Sequence, residues 1–462
     1  MTQLIIIILF FLGTLAIGVV SKAKTRGADD FFVAGRKSSS LFVTGSLLAT
    51  IIGGSATVGM AGLGFKQGLT GAWWLLVGSI GLICLGLFFA KKVRRLALYT
   101  LPELVETQYG RRMALATSVL IVVAWIGITA AQIIAAGKIL SILGLGSPVM
   151  WMVIFTFVFV AYTVLGGQYA IIRTDTLQAL IVFAGIFGGL ALLLSRLGGW
   201  AGLQSSLSPE HFAFPVSDQF GGVSLITMLL LVGLTYVVGP DMYSRLFCAK
   251  DDNTARASTF WTALLIIPVA FAITLIGMGA AALFPQIAPE QAFPMVIKEV
   301  FSPLLGGIVL AALLCAVMSS ADTVLLSAST ILMVDIVGGA KDQNKIIPRS
   351  RWAIVLLGIC SLIVALALKG VISALLFAYT IYTAGVILPV LAGFFKNRLK
   401  VTPSGALAAL IGGGSVGLIS KLLAIKYLDL GALLLSGLLL FVVSFIDNRL
   451  NSRPGSPGKP EK

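Results

Sequence analysis

One stretch of the chain combines hydroxyl groups and a carboxylate inside an otherwise apolar run. It reads AVMSSADTVLLS from residue 316 to 327. Four residues share one face of a helix by the i, i+3, i+4, i+7 pattern: Ala316, Ser319, Ser320 and Thr323. Asp322 lies within the same turn and a half. Hydroxyl and carboxylate oxygens are hard ligands, so this face is suited to an alkali cation.

Hydroxyl groups that bond back to their own helix would explain the serines and the threonine of this stretch. They do not explain Asp322, because a carboxylate inside a spanning helix costs several kcal/mol unless it meets a cation, a partner or water. The stretch therefore favours an ion site.

A second stretch, GSLLATIIGGSATVGMAGLG from residue 45 to 64, has two adjacent glycines near its middle. Gly53 and Gly54, followed by Ser55, Ala56 and Thr57, weaken the helix where backbone carbonyls could coordinate an ion. Close packing of helices through small residues is the alternative. The sequence leaves both interpretations open.

Asp175 is the carboxylate of a third stretch, GGQYAIIRTDTLQ from residue 166 to 178, which opens an apolar run. Arg173 is two residues away and points to another helical face, so it is not the obvious partner. Asp175 is either a charge at a helix N-terminus or a second ion ligand, and the two interpretations are equally supported.

Two further acidic residues, Asp241 and Asp335, lie at predicted cytoplasmic helix ends, where a cap or a gate ion pair is favoured over solute contact. Four hydroxyl side chains farther on either line a gate or bond to a neighbouring helix: Tyr379, Thr380, Tyr382 and Thr383.

The composition places these stretches in a membrane. Of the 462 residues, 58% are hydrophobic and only 11% are charged, which is too few charges to cover a soluble surface. Runs of about 20 apolar residues predict about 13 transmembrane helices. The predicted spans are 4–20, 39–64, 69–90, 114–140, 149–166, 172–195, 219–247, 257–284, 301–337, 352–369, 371–395, 402–425 and 427–446.

The basic residues that give the net charge of +15 predict the orientation. No Lys or Arg precedes the first span, which is therefore a retained helix with an outside N-terminus. Threading the chain from there puts most basic residues on one side, the cytoplasm, together with the C-terminus. Those residues lie in Lys22–Lys37, Lys91–Arg95, Arg111–Arg112, Arg245–Arg256, Lys341–Arg351 and Lys396–Lys400. For a prokaryotic source, the membrane is the inner, cytoplasmic one.

The sequence argues against several other function classes. The four cysteines are unpaired core residues, and no metal-ligand cluster or nucleophile with a nearby base is present, so an enzyme is not expected. The lipid bilayer and a small organic solute are the expected partners. Neither a nucleic acid nor an obligate protein partner is indicated.

From about residue 25 to about residue 400 the sequence resembles the sodium:solute symporter family, whose members carry sugars, proline, pantothenate, sialic acid, iodide or monocarboxylates with sodium. The matching elements are Phe32-Val-Ala-Gly-Arg36, Ser46–Gly64, Thr100-Leu-Pro-Glu103, Gln108-Tyr-Gly-Arg111, Gly166–Gln178, Arg245 with Ala249-Lys250-Asp251, Ser319–Thr330 and Asp335. Each element is weak alone, but together, in this order, they make a strong signal.

The resemblance implies an all-α polytopic membrane protein of LeuT-type fold with two inverted repeats of five helices. The repeats would span 39–195 and 219–395, joined by an extracellular loop at 196–218. An extra helix and a cytoplasmic loop at 1–38 would precede them. Two further helices at 396–447 and a disordered cytoplasmic tail at 448–462 would follow them.

By the family pattern, the coupling cofactor is Na⁺, with no organic cofactor. The main sodium site would consist of the carbonyls of Ala49, Ile52 and Ala316 and the hydroxyls of Ser319 and Ser320. A second sodium site, present in some members, would consist of Asp175, Ser319, Asp322 and Thr323.

The resemblance is weaker in the substrate pocket. Sugar-carrying members have Gln and Asn where this chain has Ala56 and about Val232, which argues against a hexose because buried hydroxyls would lack partners. A solute carboxylate could meet amide groups after Gly53 and Gly54, with Ser55 and Thr57 beside them. An amino acid such as proline, pantothenate or a monocarboxylate would fit, and the sequence does not choose among them.

The expected function is therefore sodium-coupled symport of a small organic solute by alternating access. Proton coupling through Asp175 or Asp322 is the alternative within the same fold. A sensor or channel without coupled flux is less favoured, because the tail is too short for a signalling domain.

Overall fold

A computed structural model of the protein describes residues 2–22, 27–338, 343–368, 370–423, 425 and 428–451. Every secondary-structure element in the described residues is helical. Their β-type pairing is limited to isolated bridges. The helices of the first half are α1 (Thr2–Lys22), α2 (Ala28–Val33), α3 (Ser40–Ile51), α4 (Met60–Gln67), α5 (Trp73–Cys84), α6 (Ala90–Arg95), α7 (Leu101–Tyr109), α8 (Arg111–Leu140), α9 (Pro148–Leu197) and α10 (Gly199–Ser206).

The second half repeats the pattern of long apolar helices joined by short ones. Its helices are α11 (Gly222–Met228), α12 (Leu234–Val237), α13 (Pro240–Cys248), α14 (Asp252–Leu283), α15 (Ala292–Val300), α16 (Pro303–Ile331), α17 (Gln343–Ala367), α18 (Val371–Tyr382), α19 (Leu388–Gly393), α20 (Lys396–Leu399), α21 (Pro403–Leu422) and α22 (Leu428–Asn451). Single π-helical turns occupy Ser55–Gly59, Leu85–Phe89, Leu229–Gly233, Leu332–Ile336 and Thr383–Ile387. Short 3₁₀ turns occupy Ala34–Arg36, Gly68–Ala72, Ser141–Leu143, Pro209–Phe212 and Pro289–Gln291.

Within the described residues, eleven helical stretches are long and apolar enough to cross a membrane. Two of them are unusually long, at 41 and 50 residues. The 50-residue stretch is α9, about 75 Å of helix at 1.5 Å per residue, and it bends at Gly167, whose φ of 57° lies in the left-handed region. This bend separates the predicted spans 149–166 and 172–195. The total of 13 spans remains a prediction.

The helix predicted at 39–64 is broken. Helix α3 ends at Ile51, and Ile52 has ψ of 61°, outside the helical range. The chain then resumes helical structure through the π turn at Ser55–Gly59. The break agrees with a helix weakened by the paired glycines, and ion coordination by its carbonyls stays a prediction. The glycines also allow close packing, because a Cβ at Gly53 would lie 2.3 Å from Ser320 Oγ and one at Gly54 would lie 2.4 Å from Ala135 Cβ. The glycines weaken the helix and also let its neighbours approach.

A second break, which the sequence analysis did not predict, divides the span at 219–247. Helix α12 ends at Val237, Val238 has ψ of 64°, and α13 begins at Pro240. Side chains from α18 and the following turn replace lost backbone bonds: Tyr382 donates to the Val238 carbonyl, and Thr383 donates to the Leu231 carbonyl at 2.9 Å. Such replacement is what a membrane helix needs when its backbone is interrupted.

This break corrects the expectation for Asp241. The residue does not lie at the end of a spanning helix but in the first turn of α13, directly after an interruption within the span. Each predicted repeat thus opens with a broken helix. The exact boundaries of the repeats remain predictions, and most of the predicted tail, from residue 452 onward, lies outside the described residues.

Cationic side chains bind backbone carbonyls at one end of the molecule, here called the basic end. Arg36 donates to the carbonyl of Leu98 at 3.1 Å and Arg94 to that of Ala249 at 2.5 Å. Lys396 donates to the Gln108 carbonyl at 2.6 Å, and Arg111 donates to the Asp335 carbonyl. The basic loops that the charge pattern grouped on one side therefore meet at one end.

The first turn of α7 lies at the same end and starts with a capping box. Thr100 accepts from the Glu103 amide at 3.2 Å, and the Glu103 carboxylate accepts from the Thr100 amide at 3.2 Å. Burial raises the pKa of the neighbouring Tyr99 to about 12, so its hydroxyl keeps its proton and donates to Asp29. These bonds fix the connection between α6 and α7.

At the opposite end, the acidic residue Glu290 connects two helices. Glu290 accepts from Lys138, at the end of α8, and from the Val371 amide at 3.0 Å, at the start of α18. One carboxylate thus joins the two predicted repeats at the end away from the basic loops.

Helices α4 and α14 pack closely through glycine. A Cβ added to Gly277 in α14 would lie 2.0 Å from the Ala61 carbonyl oxygen, and one on Gly64 would lie 2.4 Å from that of Thr274. Backbone atoms cannot move aside as a flexible side chain can, so the two helices have no room for a methyl group at this contact.

The substitution Gly277→Ala is therefore expected to destabilise the protein by about 1–3 kcal/mol through overpacking. Gly188→Ala is the matched control, because this helical glycine is exposed and a Cβ there would meet nothing within 4 Å. The control is expected to be neutral or stabilising by up to about 1 kcal/mol. Thermal unfolding of both variants in detergent measures the difference, and equal midpoints would contradict the packing of α4 against α14.

Candidate functional site

A fully buried arginine lies at the centre of the molecule. Arg245 in α13 has a relative exposure of 0%, although the charge pattern assigned it to a cytoplasmic loop. Its guanidinium donates to Ser46 at 3.1 Å, to Asp175 at 3.4 Å and to Thr323. These partners belong to α3, α9 and α16, so one side chain connects the half-helix α13 to three other helices.

Asp175 is the counter-charge of Arg245. It is fully buried in α9, eight residues past the bend at Gly167, and one of its oxygens accepts from Ser319 at 2.6 Å. Its other oxygen accepts from Ser46 and faces Arg245. The position within a helix, away from any terminus, removes the N-terminal interpretation of Asp175.

Asp322 is the third charged group in this cluster. It is fully buried one residue before Thr323, and its Oδ2 atom has no hydrogen-bond partner. Asp175 and Asp322 together with Arg245 carry a formal charge of minus one. A buried negative charge without a partner is costly, so the cluster favours one further cation or proton nearby.

Carbonyl oxygens from the last turns of α3, just before the first break, meet the hydroxyl of Ser320 in α16. This hydroxyl lies 2.6 Å from the Thr50 carbonyl oxygen, 3.5 Å from that of Ala49 and 3.2 Å from that of Ala316. Close approach is possible because Gly53, next to Ile52, has no side chain in the way. The structure thus brings Ala49 of α3 close to Ser320 of α16, one helical turn after Ala316, and their role as sodium ligands stays a prediction.

The remaining members of the predicted sodium sites lie at the edge of this group. Ser319 points its hydroxyl to Asp175, and its carbonyl accepts from Thr323 at 2.6 Å. Ile52 is the non-helical residue of the break. The predicted second site is more crowded, because Arg245 contacts both Asp175 and Thr323.

A cavity lies between the two broken helices. Its free volume is about 30 Å³, room for one or two water molecules, so the two halves are nearly closed on each other. Thr50, Ser55 and Ser320 line it on the side of the first break, and Tyr236 and Asp241 on the side of the second. Trp125, Gln132 and Tyr379 complete its polar and aromatic wall.

The predicted solute-binding residues are distributed unevenly about this cavity. Ser55 lines it, whereas Val232 lines a separate crevice between α11 and α21. Ala56 and Thr57 are buried in the π turn. The amide of Gly54, expected to be free for a solute carboxylate, donates instead to Gln132 Oε1 at 2.7 Å. The expectation was wrong for the Gly54 amide, because α8 supplies its acceptor.

A sequence model of the sodium:solute symporter family matches residues 31–413. The chain belongs to the sodium:solute symporter family.

The relatives of this family member differ in the solute that their names give. A sodium/glucose cotransporter of Vibrio parahaemolyticus is 26% identical and aligns with 84% of this chain and 79% of its own length. The high-affinity proline transporter PutP of Bacillus subtilis is also 26% identical and aligns with 88% of this chain and 89% of its own length. The sodium/pantothenate symporter of Escherichia coli is 24% identical and aligns with 92% of this chain and 91% of its own length.

Solved structures show the fold of the family member. The substrate-bound outward-open state of a Na⁺-coupled sialic acid symporter superposes with a TM-score of 0.80 at 17% identity, covering 96% of this chain and 98% of that one. MhsT in complex with L-phenylalanine superposes with a TM-score of 0.52 at 14% identity, covering 89% of this chain and 98% of that one. The all-α, LeuT-type fold is confirmed.

For three site residues of this family member, the sequence alone predicted the wrong position or no role. Arg245 and Asp241 were assigned to a cytoplasmic end, and Gln132 lay in a span with no other signal. The run Gly239-Pro240 was the available sign, since glycine followed by proline inside an apolar span interrupts a helix and exposes the residues after it.

The buried charges give a prediction about stability. Arg245→Gln leaves two buried carboxylates without their cation and is expected to cost about 3–5 kcal/mol. Asp175→Asn is expected to cost less, because Asp322 remains to balance Arg245. The double variant is expected to be more stable than Arg245→Gln alone. Thermal unfolding in potassium buffer tests this order, and strictly additive effects would contradict the coupling of the two side chains.

Proposed function

We propose that the protein is a secondary active transporter that couples entry of sodium to uptake of a small organic solute. The proposal depends on one observation, the meeting of the Ser320 hydroxyl with the Ala49 and Thr50 carbonyls at the end of α3 and with the Ala316 carbonyl of its own helix. The family and the Na⁺-coupled structural relative support sodium as the coupling ion.

The proposed sodium ligands are the carbonyls of Ala49, Ile52 and Ala316 and the hydroxyls of Ser319 and Ser320. Ser319 donates its proton to Asp175, which leaves its oxygen lone pairs for a cation. The buried cluster of Asp175, Asp322 and Arg245 has a formal charge of minus one, so one sodium ion at this position would neutralise it. Charge and geometry therefore support the same site.

Sodium at this position would link the end of α3 and the break residue Ile52 to α16. Because the same break lines the central cavity through Thr50 and Ser55, an ion that orders it also prepares the solute site. The coupling is reciprocal, so bound solute should raise the affinity for sodium. The near closure of the cavity means that solute entry requires the broken helices to separate from their neighbours.

We propose a second sodium ion only for a state in which the Arg245 side chain has moved. Its ligands would be Asp175, Ser319, Asp322 and Thr323. The Arg245 guanidinium contacts two of these residues and would have to leave them first. We therefore propose that the main site fills before the second one.

Proton coupling is the second candidate, and the buried Oδ2 atom of Asp322 without a partner favours it. A proton on that oxygen would also neutralise the cluster. Uptake driven by a pH gradient in sodium-free buffer would support this alternative over sodium coupling.

The proposed orientation follows the basic end. The residues Arg36, Arg94, Arg111 and Lys396 would face the cytoplasm, with the N-terminus outside and the C-terminus inside, in the cytoplasmic membrane. No organic cofactor, enzymatic activity, nucleic acid or obligate protein partner forms part of the proposed function.

Ser320→Ala tests the sodium site. Loss of a hydroxyl bound to a charged partner costs about 1.5–3 kcal/mol, so the affinity for sodium is expected to fall by roughly 10- to 100-fold. Ser329→Ala is the matched control, because this buried serine on the same helix bonds only to its own helix, at the Leu326 carbonyl. The sodium-induced rise in unfolding temperature measures the affinity, and identical titrations for the two variants would refute the site.

Coupling is tested by a screen of small carboxylates, amino acids and sugars in sodium and in potassium. A ligand that binds only the folded protein raises stability by RT ln(1 + [L]/Kd), so a coupled solute is expected to raise the unfolding temperature in sodium alone. A solute that stabilises the protein equally in both salts would refute sodium coupling.

A further inference from the structure

The central cavity contains one charged residue, and that residue is acidic. Among the described residues that line the cavity, Asp241 is the only one with an ionisable carboxylate, and none carries a basic side chain. A binding site for a solute with only a carboxylate would need a positive group at this place, and the cavity presents the opposite charge.

The break in the second repeat places Asp241 in the cavity. Pro240 begins α13, and Asp241 follows in its first turn. A Cβ on Gly239 would lie 2.8 Å from Asp241 Oδ1, so the carboxylate folds back over the break. The amides of Asp241 and Met242 lie against it, and the helix end supplies about half a unit of positive charge. Part of the negative charge stays unmatched.

Arg245, one turn farther along α13, attracts the Asp241 carboxylate but forms no direct ion pair with it. Its guanidinium is directed to Ser46, Asp175 and Thr323 on the other side of the half-helix. In the described part of the chain, Asp241 has no ion-pair partner within 4.0 Å. A partly buried carboxylate without a cation is suited to receive one from a ligand.

Aromatic residues surround the same space. Trp125, Tyr236 and Tyr379 line the cavity together with Asp241. The faces of such rings attract cations. Trp125 also has an indole N–H group without a hydrogen-bond partner, although the side chain is only 1% exposed. The cavity therefore combines one anion, three aromatic rings and one unsatisfied donor.

We propose that the solute carries a cationic nitrogen, an ammonium or substituted ammonium group, that binds to Asp241 among Trp125, Tyr236 and Tyr379. The inference builds on the proposed symport function and names its solute class. An amino acid such as proline meets the requirement, whereas pantothenate and simple monocarboxylates do not. The unsatisfied Trp125 donor suits an acceptor oxygen on the same solute.

The test uses pairs of compounds that differ only in the nitrogen. L-Proline is compared with cyclopentanecarboxylate, L-alanine with isobutyrate, and choline with dimethylbutanol, each as a ligand that raises the unfolding temperature of the full chain in sodium. At least one nitrogen compound is expected to stabilise the protein while its carbon analogue does not. Stabilisation by a carbon analogue, or by no nitrogen compound in a protein that responds to sodium, overturns the inference.

Asp241→Asn then assigns the effect to the carboxylate. The variant is expected to bind the nitrogen compound at least about tenfold more weakly, since it loses a charged hydrogen-bond partner. Asp335→Asn is the control, because it makes the same substitution at another buried aspartate, which lies in the π turn after α16 and outside the cavity. Equal binding by wild type and Asp241→Asn would overturn the inference.

The shift in unfolding temperature caused by sodium alone, without solute, distinguishes a failure of this inference from a failure of the proposed function. Asp241→Asn is expected to keep the sodium-induced shift of the wild type, which also shows that the variant is folded. Loss of that shift would mean that Asp241 holds the ion, and would overturn the inference. Failure of the wild type to respond to sodium would refute the proposed coupling, while the paired compounds would still report on the solute.

Discussion

The ion pair between Arg245 and Asp175 is the interaction on which the centre of the molecule depends. Both side chains are fully buried, and their hydrogen bonds extend to Ser46 and Thr323. Four helical segments, α3, α9, α13 and α16, meet at this one pair. Because a buried charge without its partner is strongly unfavourable, the pair fixes where the interrupted helices lie relative to the intact ones. The ion and solute sites proposed above both border this fixed point.

Much of the architecture could be predicted from composition and local pattern. The apolar runs predicted a protein built of membrane-spanning helices, because every backbone polar group in lipid must be satisfied within a helix, and the paired glycines Gly53 and Gly54 marked the first interruption. The face shared by Ser319 and Ser320 followed from helical periodicity alone. These signals are local, since each depends on residues within two or three turns.

The features that escaped prediction depend on contacts between distant parts of the chain. Arg245 looked like a loop charge because a count of basic residues cannot distinguish a charge in solvent from one paired with a carboxylate 70 positions earlier. Gln132 likewise takes the Gly54 amide from across the sequence. Asp241 was misplaced for a different reason, because a span treated as one continuous helix hides what an interruption exposes. Tertiary partners, rather than propensities, determined these positions.

The acceptors at the basic end have a consequence for how this fold can diverge during evolution. Arg36 and Arg94 bind the carbonyls of Leu98 and Ala249, and any amino acid at those two positions would supply the same oxygen. Substitutions there can accumulate without loss of the contact, provided that the backbone path is kept. Low sequence identity between relatives is therefore compatible with retention of these contacts, because they depend on the path of the backbone and not on the side chains of the acceptor residues.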